Sequence, residues 1–340
     1  MAQARRLQLI RSIESQRGSN LVSYIVSTRE GLNASMSTEH VRVIYDHLVK
    51  FAGTKIDLLI HSNGGDTVVP WRLVNLIREM TDEFSVIVPY KAFSAATLTA
   101  LGADEIVMHP MANLGPTDPT VTNSFNPIDP VTNQKVGISV EDVHAFIQFV
   151  KDDVGIQHQD ELIQAFSILA NNVHPLALGN VKRQLTQSRQ LAKKILMLHM
   201  GGTADEHSID ELVESFASKL NYHGHPINRS EAKNDLGMSN IVFPNQRLEK
   251  SMWNLYLQYE SELEIRTPFN PSNEFLNLFP ALAPKDAKLT DPLTAKLTYI
   301  ESSVQTDVKA LEYQIHGEKL LNGALKWTMN VLREGWTQEG

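Results

Sequence analysis

Short apolar runs alternate with longer amphipathic stretches along this chain, and that alternation predicts its elements. Residues 21–27 (LVSYIVS), 56–60, 84–88 and 105–108 are short and mostly apolar at consecutive positions. Runs of this kind suit strands buried on both faces of a parallel sheet. Helical patterns lie between them. Ser37-Thr38-Glu39-His40 opens one, with Val41, Val43, Ile44, His47 and Leu48 on its inner side. Residues 68–80 form a second, and residues 94–102 a third, built of small side chains that allow close packing. Strand, helix and strand at this spacing imply right-handed crossovers and a mostly parallel α/β sheet.

Outside this block the pattern changes. Residues 3–16 place Leu7, Leu9, Ile10 and Ile13 among Arg5, Arg6, Arg11 and Glu14, an amphipathic helix. It is read as packing on its own domain or a sister subunit, with peripheral membrane contact as the alternative. Residues 110–137 are rich in Pro, Asn and Asp, which argues for a long loop serving as a lid, a rim or an arm at a subunit interface. Helices follow at about 139–153, 160–169 and 176–199, the last carrying Lys182, Arg183, Arg189, Lys193 and Lys194. Residues 208–220 and 246–263 are helical, with a closing strand at 241–243. From about 265 five prolines mark a loop-rich region, with strands or a hairpin at 296–305 and 308–316. The expected organisation is one domain over 1–245, with a helical insertion at about 139–171. Residues 246–340 form a C-terminal extension for oligomerisation or substrate access.

Composition narrows the function. The sequence is 340 residues long, 42% hydrophobic, and carries a formal net charge of −8, which speaks against a general nucleic-acid binder. It has no cysteine, so thiolate catalysis, disulfides and Cys-ligated zinc are excluded. The N-terminus lacks an unbroken apolar segment of the secretory kind, and no window approaches the roughly 18 apolar residues that span a bilayer. The expectation is a cytoplasmic protein that needs no cofactor and no metal.

Two loops carry the candidate chemistry. His61-Ser62-Asn63-Gly64-Gly65-Asp66 follows the second strand, and Lys91-Ala92-Phe93-Ser94-Ala95-Ala96 follows the third. Loops at the carboxyl ends of parallel strands are where ligands bind in such sheets. The glycine pair is neither a Walker loop nor a dinucleotide fingerprint, because no Gly-Lys-Ser/Thr and no Gly-x-Gly-x-x-Gly is present. Alone it reads as a tight turn. Ser94 alone reads as a helix N-cap. Side by side, the loops offer bare amides and a hydroxyl at a helix start, the parts of an oxyanion hole and a nucleophile. Asp66 and Asp118 read as loop-capping residues, and His223 and His225 as residues of a turn.

The run Ser-Asn-Gly-Gly-Asp, then Ala-Phe-Ser-Ala-Ala, then Ala-Leu-Gly-Ala-Asp-Glu-Ile and Leu-Gly-Pro-Thr-Asp-Pro, resembles the Clp protease and crotonase superfamily. It is closest to the branch similar to signal peptide peptidase A, and within it to the serine dehydrogenase proteinase family, over about two-thirds of the chain. The resemblance implies a spiral of ββα units, hydrolysis of peptide or protein substrates, and a homo-oligomer. Its nucleophile falls on Ser94 and its oxyanion amides on Gly64 and Ala95. No histidine stands in the segment where Clp proteases carry one, and His109 sits early. The related peptidases use a lysine from a later helix, for which Lys182 is the choice over Lys135, Lys151 or a residue from another subunit. Two rivals remain at this point: a crotonase-like acyl-CoA enzyme using the same amides, and an inactive scaffold of the same fold.

Overall fold

The computed structural model describes residues 2–339 except 54, 116, 118, 119, 122, 123, 130–132, 134, 201–205 and 217–224. Helix α1 (Ala2–Arg17) leads into β1 (Asn20–Val26) and a small hairpin of β2 (Thr28–Arg29) and β3 (Leu32–Asn33). Then come α2 (Thr38–Leu48), β4 (Lys55–His61), α3 (Val69–Met80), β5 (Glu83–Val88), β6 (Lys91–Ala92), α4 (Ala95–Leu101) and β7 (Glu105–Met108). The loop-rich stretch is crossed by three two-residue strands, β8 (Asn113–Leu114), β9 (Thr120–Val121) and β10 (Ile138–Ser139).

A helical layer follows. It comprises α5 (Val140–Gln148), a π turn over Phe149–Asp153, α6 (Gln159–Asn172), the 26-residue α7 (Pro175–Met200) and α8 (Glu206–Glu214). The chain then runs through β11 (Ile227–Asn228), β12 (Ile241–Val242), α9 (Gln246–Glu262) and α10 (Pro271–Leu278). It closes with β13 (Ala287–Leu289), β14 (Leu293–Ser302), β15 (Thr306–Lys319) and β16 (Leu325–Gln338). Sequence reading gave β16 no element, although it carries Trp327 and Trp336.

The central sheet has nine strands among the described residues, in the order β12-β7-β5-β4-β1-β14-β15-β13, with β16 also on β15. Strands β1, β4, β5, β7 and β12 are parallel, and β14 joins β1 antiparallel. The fold is therefore α/β with a mostly parallel core, as the alternation of elements implies. A second, three-stranded sheet, β11-β8-β6, stands beside it.

The apolar runs are continuous because each strand feeds two cores. Val22, Tyr24 and Val26 of β1, Leu58 and Ile60 of β4, and Val86 and Val88 of β5 pack toward α2, α3 and α4. The alternate residues Leu21, Ile25, Leu59 and Ile87 pack on the opposite face with α1 and α9. Successive side chains of a strand point to opposite faces, so both faces must be apolar. Leu9, Ile10 and Ile13 of α1 are buried on that second face, together with Leu248, Met252 and Leu255 of α9.

Two buried polar clusters tie the C-terminal strands to the rest. His47 of α2 shares hydrogen bonds with Ser302 Oγ at 2.8 Å and Asp307 Oδ2 at 2.9 Å. This Ser-His-Asp line is buried, so it braces the β14–β15 hairpin rather than meeting substrate. Arg6 of α1 is 1% exposed, and its Nε donates to Glu301 Oε2 at 2.7 Å. The Glu301 carboxylate also accepts from Tyr259 and Thr306, and the Arg6 guanidinium lies 4.8 Å from the Tyr299 ring centroid. Breaking a buried pair leaves a charge without compensation. Arg6→Met is therefore expected to lower stability by roughly 3 kcal/mol in urea unfolding; an unchanged midpoint would show that the pair contributes nothing.

Candidate active site

The site is built where β4 and β5 end. Ser62 extends β4 beside β6: its N–H donates to Lys91 O at 3.1 Å, and the Phe93 N–H donates to Ser62 O at 3.0 Å. This pairing brings the two small-residue loops together. Thr97 in the first turns of α4 locks the second loop from beneath. Its buried hydroxyl lies 2.6 Å from Ala92 O and 2.8 Å from Gly115 O, and it accepts the Gly115 N–H at 3.1 Å.

Ser94 precedes α4 with φ 51 and ψ −115, a conformation that side chains other than glycine rarely adopt. It is half-buried, makes no side-chain cap to the helix, and its hydroxyl has no hydrogen-bond partner among the described residues. The cap reading of Ser94 is thus not what the structure shows. All seven residues of α4 are buried, and the small side chains let the helix end pack closely. A Cβ on Gly102 would stand 2.7 Å from Val74 of α3 and 3.1 Å from Ile195 of α7.

Gly64 lies directly against the Ser94 turn. A Cβ added there would meet Ser94 Cβ at 2.7 Å, Phe93 O at 2.9 Å and Ala95 N at 3.2 Å. The structure thus brings Ser94, Ala95 and Gly64 together. The Gly64 N–H is already engaged, donating to Ser62 Oγ at 2.9 Å, and Gly64 O accepts from Met36. The next residue differs. Gly65 is exposed, and its N–H has no partner among the described residues. The Ala95 N–H, first of the helix, is likewise unpartnered there, as expected at a helix start. Sequence reasoning weighed the glycine pair but named only Gly64 as a donor, and it missed the hydrogen bond from Gly64 to Ser62. The serine two residues before Gly64 was the available signal, since such a side chain bonds nearby backbone amides in loops.

Among the described residues no base is hydrogen-bonded to the Ser94 hydroxyl. Lys182 is exposed on α7, outside the buried stripe of Val181, Leu185, Ser188 and Ala192. Lys135 and Lys151 are exposed too. His109 is held elsewhere: its ring stacks on Trp253 at 5.0 Å, and its Nδ1 accepts the Met111 N–H at 3.1 Å. Asp66 caps its loop through the Val68 N–H at 3.0 Å. His225 pairs with Glu231 at 2.7 Å. Asp118 and His223 lie outside the described residues. Among the described residues no group of three or more metal-ligating side chains converges, and no helix is long and apolar enough to cross a membrane.

Three other histidines are neutral, His40 and His61 buried and His199 half-buried. Burial brings His40 down to about 4, His61 to about 3 and His199 to about 4. The unfolded chain takes up these protons near pH 6.5 and the folded chain does not. Their contribution to stability is therefore full above pH 6.5 and is lost as pH falls through that window. Urea unfolding is expected to show a loss on the order of 1–2 kcal/mol per histidine between pH 6.5 and 5. A flat profile there would mean the rings ionise within the fold.

The family described as ClpP-like SDH-type serine proteinase matches residues 1–190, more than half of the chain. The chain belongs to that family, and its α/β architecture with a mostly parallel central sheet agrees with that membership. Two uncharacterized proteins of Methanocaldococcus jannaschii, MJ1495 and MJ0137, are each 32% identical, over 127 and 130 residues. Each match covers 34% of this chain, and 42% and 43% of the respective relatives. The chain thus spans less than half the length of the curated relatives it matches.

Proposed function

We propose that this protein hydrolyses peptide bonds with Ser94 as nucleophile and a backbone oxyanion hole formed by the Ala95 and Gly65 N–H groups. The observation that carries the reading is the Ser94 turn: a strained serine with an unbonded hydroxyl, followed by the unpartnered Ala95 amide and packed against Gly64, whose neighbour Gly65 also has an unpartnered amide. Preorganised donors of this kind stabilise the negative charge of a tetrahedral intermediate. The start of α4 adds its dipole to the same charge. Gly64, the amide expected from the family resemblance, has the supporting part, because Ser62 holds its N–H and so fixes the turn.

In the proposed reaction Ser94 Oγ loses its proton to a base and bonds to the scissile carbonyl carbon. The carbonyl oxygen becomes the oxyanion. The intermediate collapses to an acyl-enzyme as the leaving amine takes the proton, and water then releases the acyl group. Lys182 is the proposed base. It is solvated in the protomer, so its activation requires a cover, which a second copy in a homo-oligomer would supply. The test is a fluorophosphonate probe on the purified protein. Labelling that disappears in Ser94→Ala supports the reading. No labelling would favour chemistry that uses the amides without a serine, as in the acyl-CoA enzymes of this superfamily.

A further inference from the structure

We propose that Lys91 selects the substrate by receiving an acidic side chain of the bound peptide, Asp or Glu. The inference rests on the serine-peptidase reading above and adds to it the substrate class.

Lys91 lies on β6, three residues before Ser94. The three-stranded sheet β11-β8-β6 has two unlike rows. Ala92, Leu114 and Ile227 are aligned across it and fully buried. The neighbouring row is Lys91, Asn113 and Asn228, half-buried to exposed. Alternate residues of a strand point to opposite faces, so the second row forms the open face. Phe93 shares it, its ring filling the place beside Gly115 where a Cβ would stand 2.7 Å away. The strand that carries this face runs straight into the Ser94 turn. Chain geometry keeps the Lys91 and Ser94 Cα atoms within about 11 Å. A side chain of an extended substrate that meets Lys91 therefore comes from within about three residues of the scissile bond.

Lys91 is half-buried, and its ammonium is unpaired among the described residues. It stands 5.3 Å from the Tyr90 ring centroid and 5.9 Å from that of Phe93. Among the described residues it has no ion pair and no hydrogen bond. The carboxylates that flank this sheet are already held, Glu231 by His225 and Glu249 by Arg229. The other cations there are engaged as well: Arg229 lies over Phe243, and Lys233 donates to Ile241 O. A half-buried cation is screened less than a surface one, and aromatic faces do not neutralise it. In a chain of formal net charge −8, it is a local positive point beside the nucleophile. A carboxylate of the substrate completes it with a charge-assisted hydrogen bond.

The experiment uses the full-length protein and a library of internally quenched peptides with Glu, Gln or Lys at each of three positions either side of the scissile bond. The wild type is expected to cleave the best Glu peptide with kcat/KM about tenfold above its Gln counterpart, carried by KM. Lys91→Arg is expected to keep that ratio, Lys91→Met to bring it close to one, and Lys91→Glu to reverse it in favour of Lys peptides. Wild-type cleavage without preference for Glu, or a preference that persists in Lys91→Met, overturns the inference. Fluorophosphonate labelling of wild-type Ser94 in either case leaves the peptidase reading standing. A wild type that is neither labelled nor cleaves any peptide overturns both.

Discussion

Ser94→Gly is expected to make the protein more stable and inactive. Ser94 occupies φ 51, ψ −115, where a Cβ is disfavoured and the cost is on the order of 1–3 kcal/mol. Glycine removes that cost while adding roughly 0.5–1 kcal/mol of chain entropy to be lost on folding. The net gain is about 1 kcal/mol, or roughly 2 °C in melting temperature for a chain of this size. Turnover should fall by about 10⁴-fold or more, since a lost nucleophile removes covalent catalysis. Ser94→Ala separates the two effects: it also abolishes turnover but keeps the Cβ, so its melting temperature should not rise. A glycine variant that melts below wild type would sink the claim that strain is stored at this turn.

Gly64→Ala should damage activity and stability together. The new Cβ would stand 2.7 Å from Ser94 Cβ and 2.9 Å from Phe93 O, on a backbone with φ 109. Backbone has to move, and what moves is the Ser94 turn. A displacement near 1 Å at reacting atoms costs about 10²-fold, and misplacing the proposed Ala95 and Gly65 donors on either side of the clash a further 10-fold or more. The expected result is a roughly 10³-fold fall in kcat/KM, with stability lower by about 3 kcal/mol. Gly18→Ala is the control. Gly18 also has positive φ, at 63, but nothing lies within 4 Å of an added Cβ. It should lose only about 1 kcal/mol and no activity. Equal effects of the two substitutions would show that the contact with Ser94 is unimportant.

Much of the fold was legible in the chain. Burial on both sheet faces demanded continuous apolar strands, so β4, β5 and β7 stood out as runs, and α3 and α9 as periodic patterns between turn residues. The small residues after Ser94 announced a closely packed helix, and α4 is one, all seven of its residues buried. Less was legible near the C-terminus. Strand β14 pairs with β1 across some 280 residues of sequence, Val22 beside Ser302, and nothing local reveals that the β1 edge is open until those strands arrive. Strand β16 carries few periodic cues because most of it is exposed.

The sequence by itself determined that a glycine loop and a serine loop lie side by side at the ends of adjacent parallel strands. That follows from burial and periodicity, which act over a few residues. The tertiary structure alone decided which groups are free to react. Ser62 takes the Gly64 N–H and leaves that of Gly65. Gly64, 30 positions away in sequence, packs so close to Ser94 that a Cβ there would not fit, and Ser94 stands at positive φ. Lys182 faces solvent while Lys91 stands half-buried beside aromatic rings. Hydrogen-bond partners and solvent access belong to neighbours in space, so residue types in order could name the candidates for this site but not choose among them.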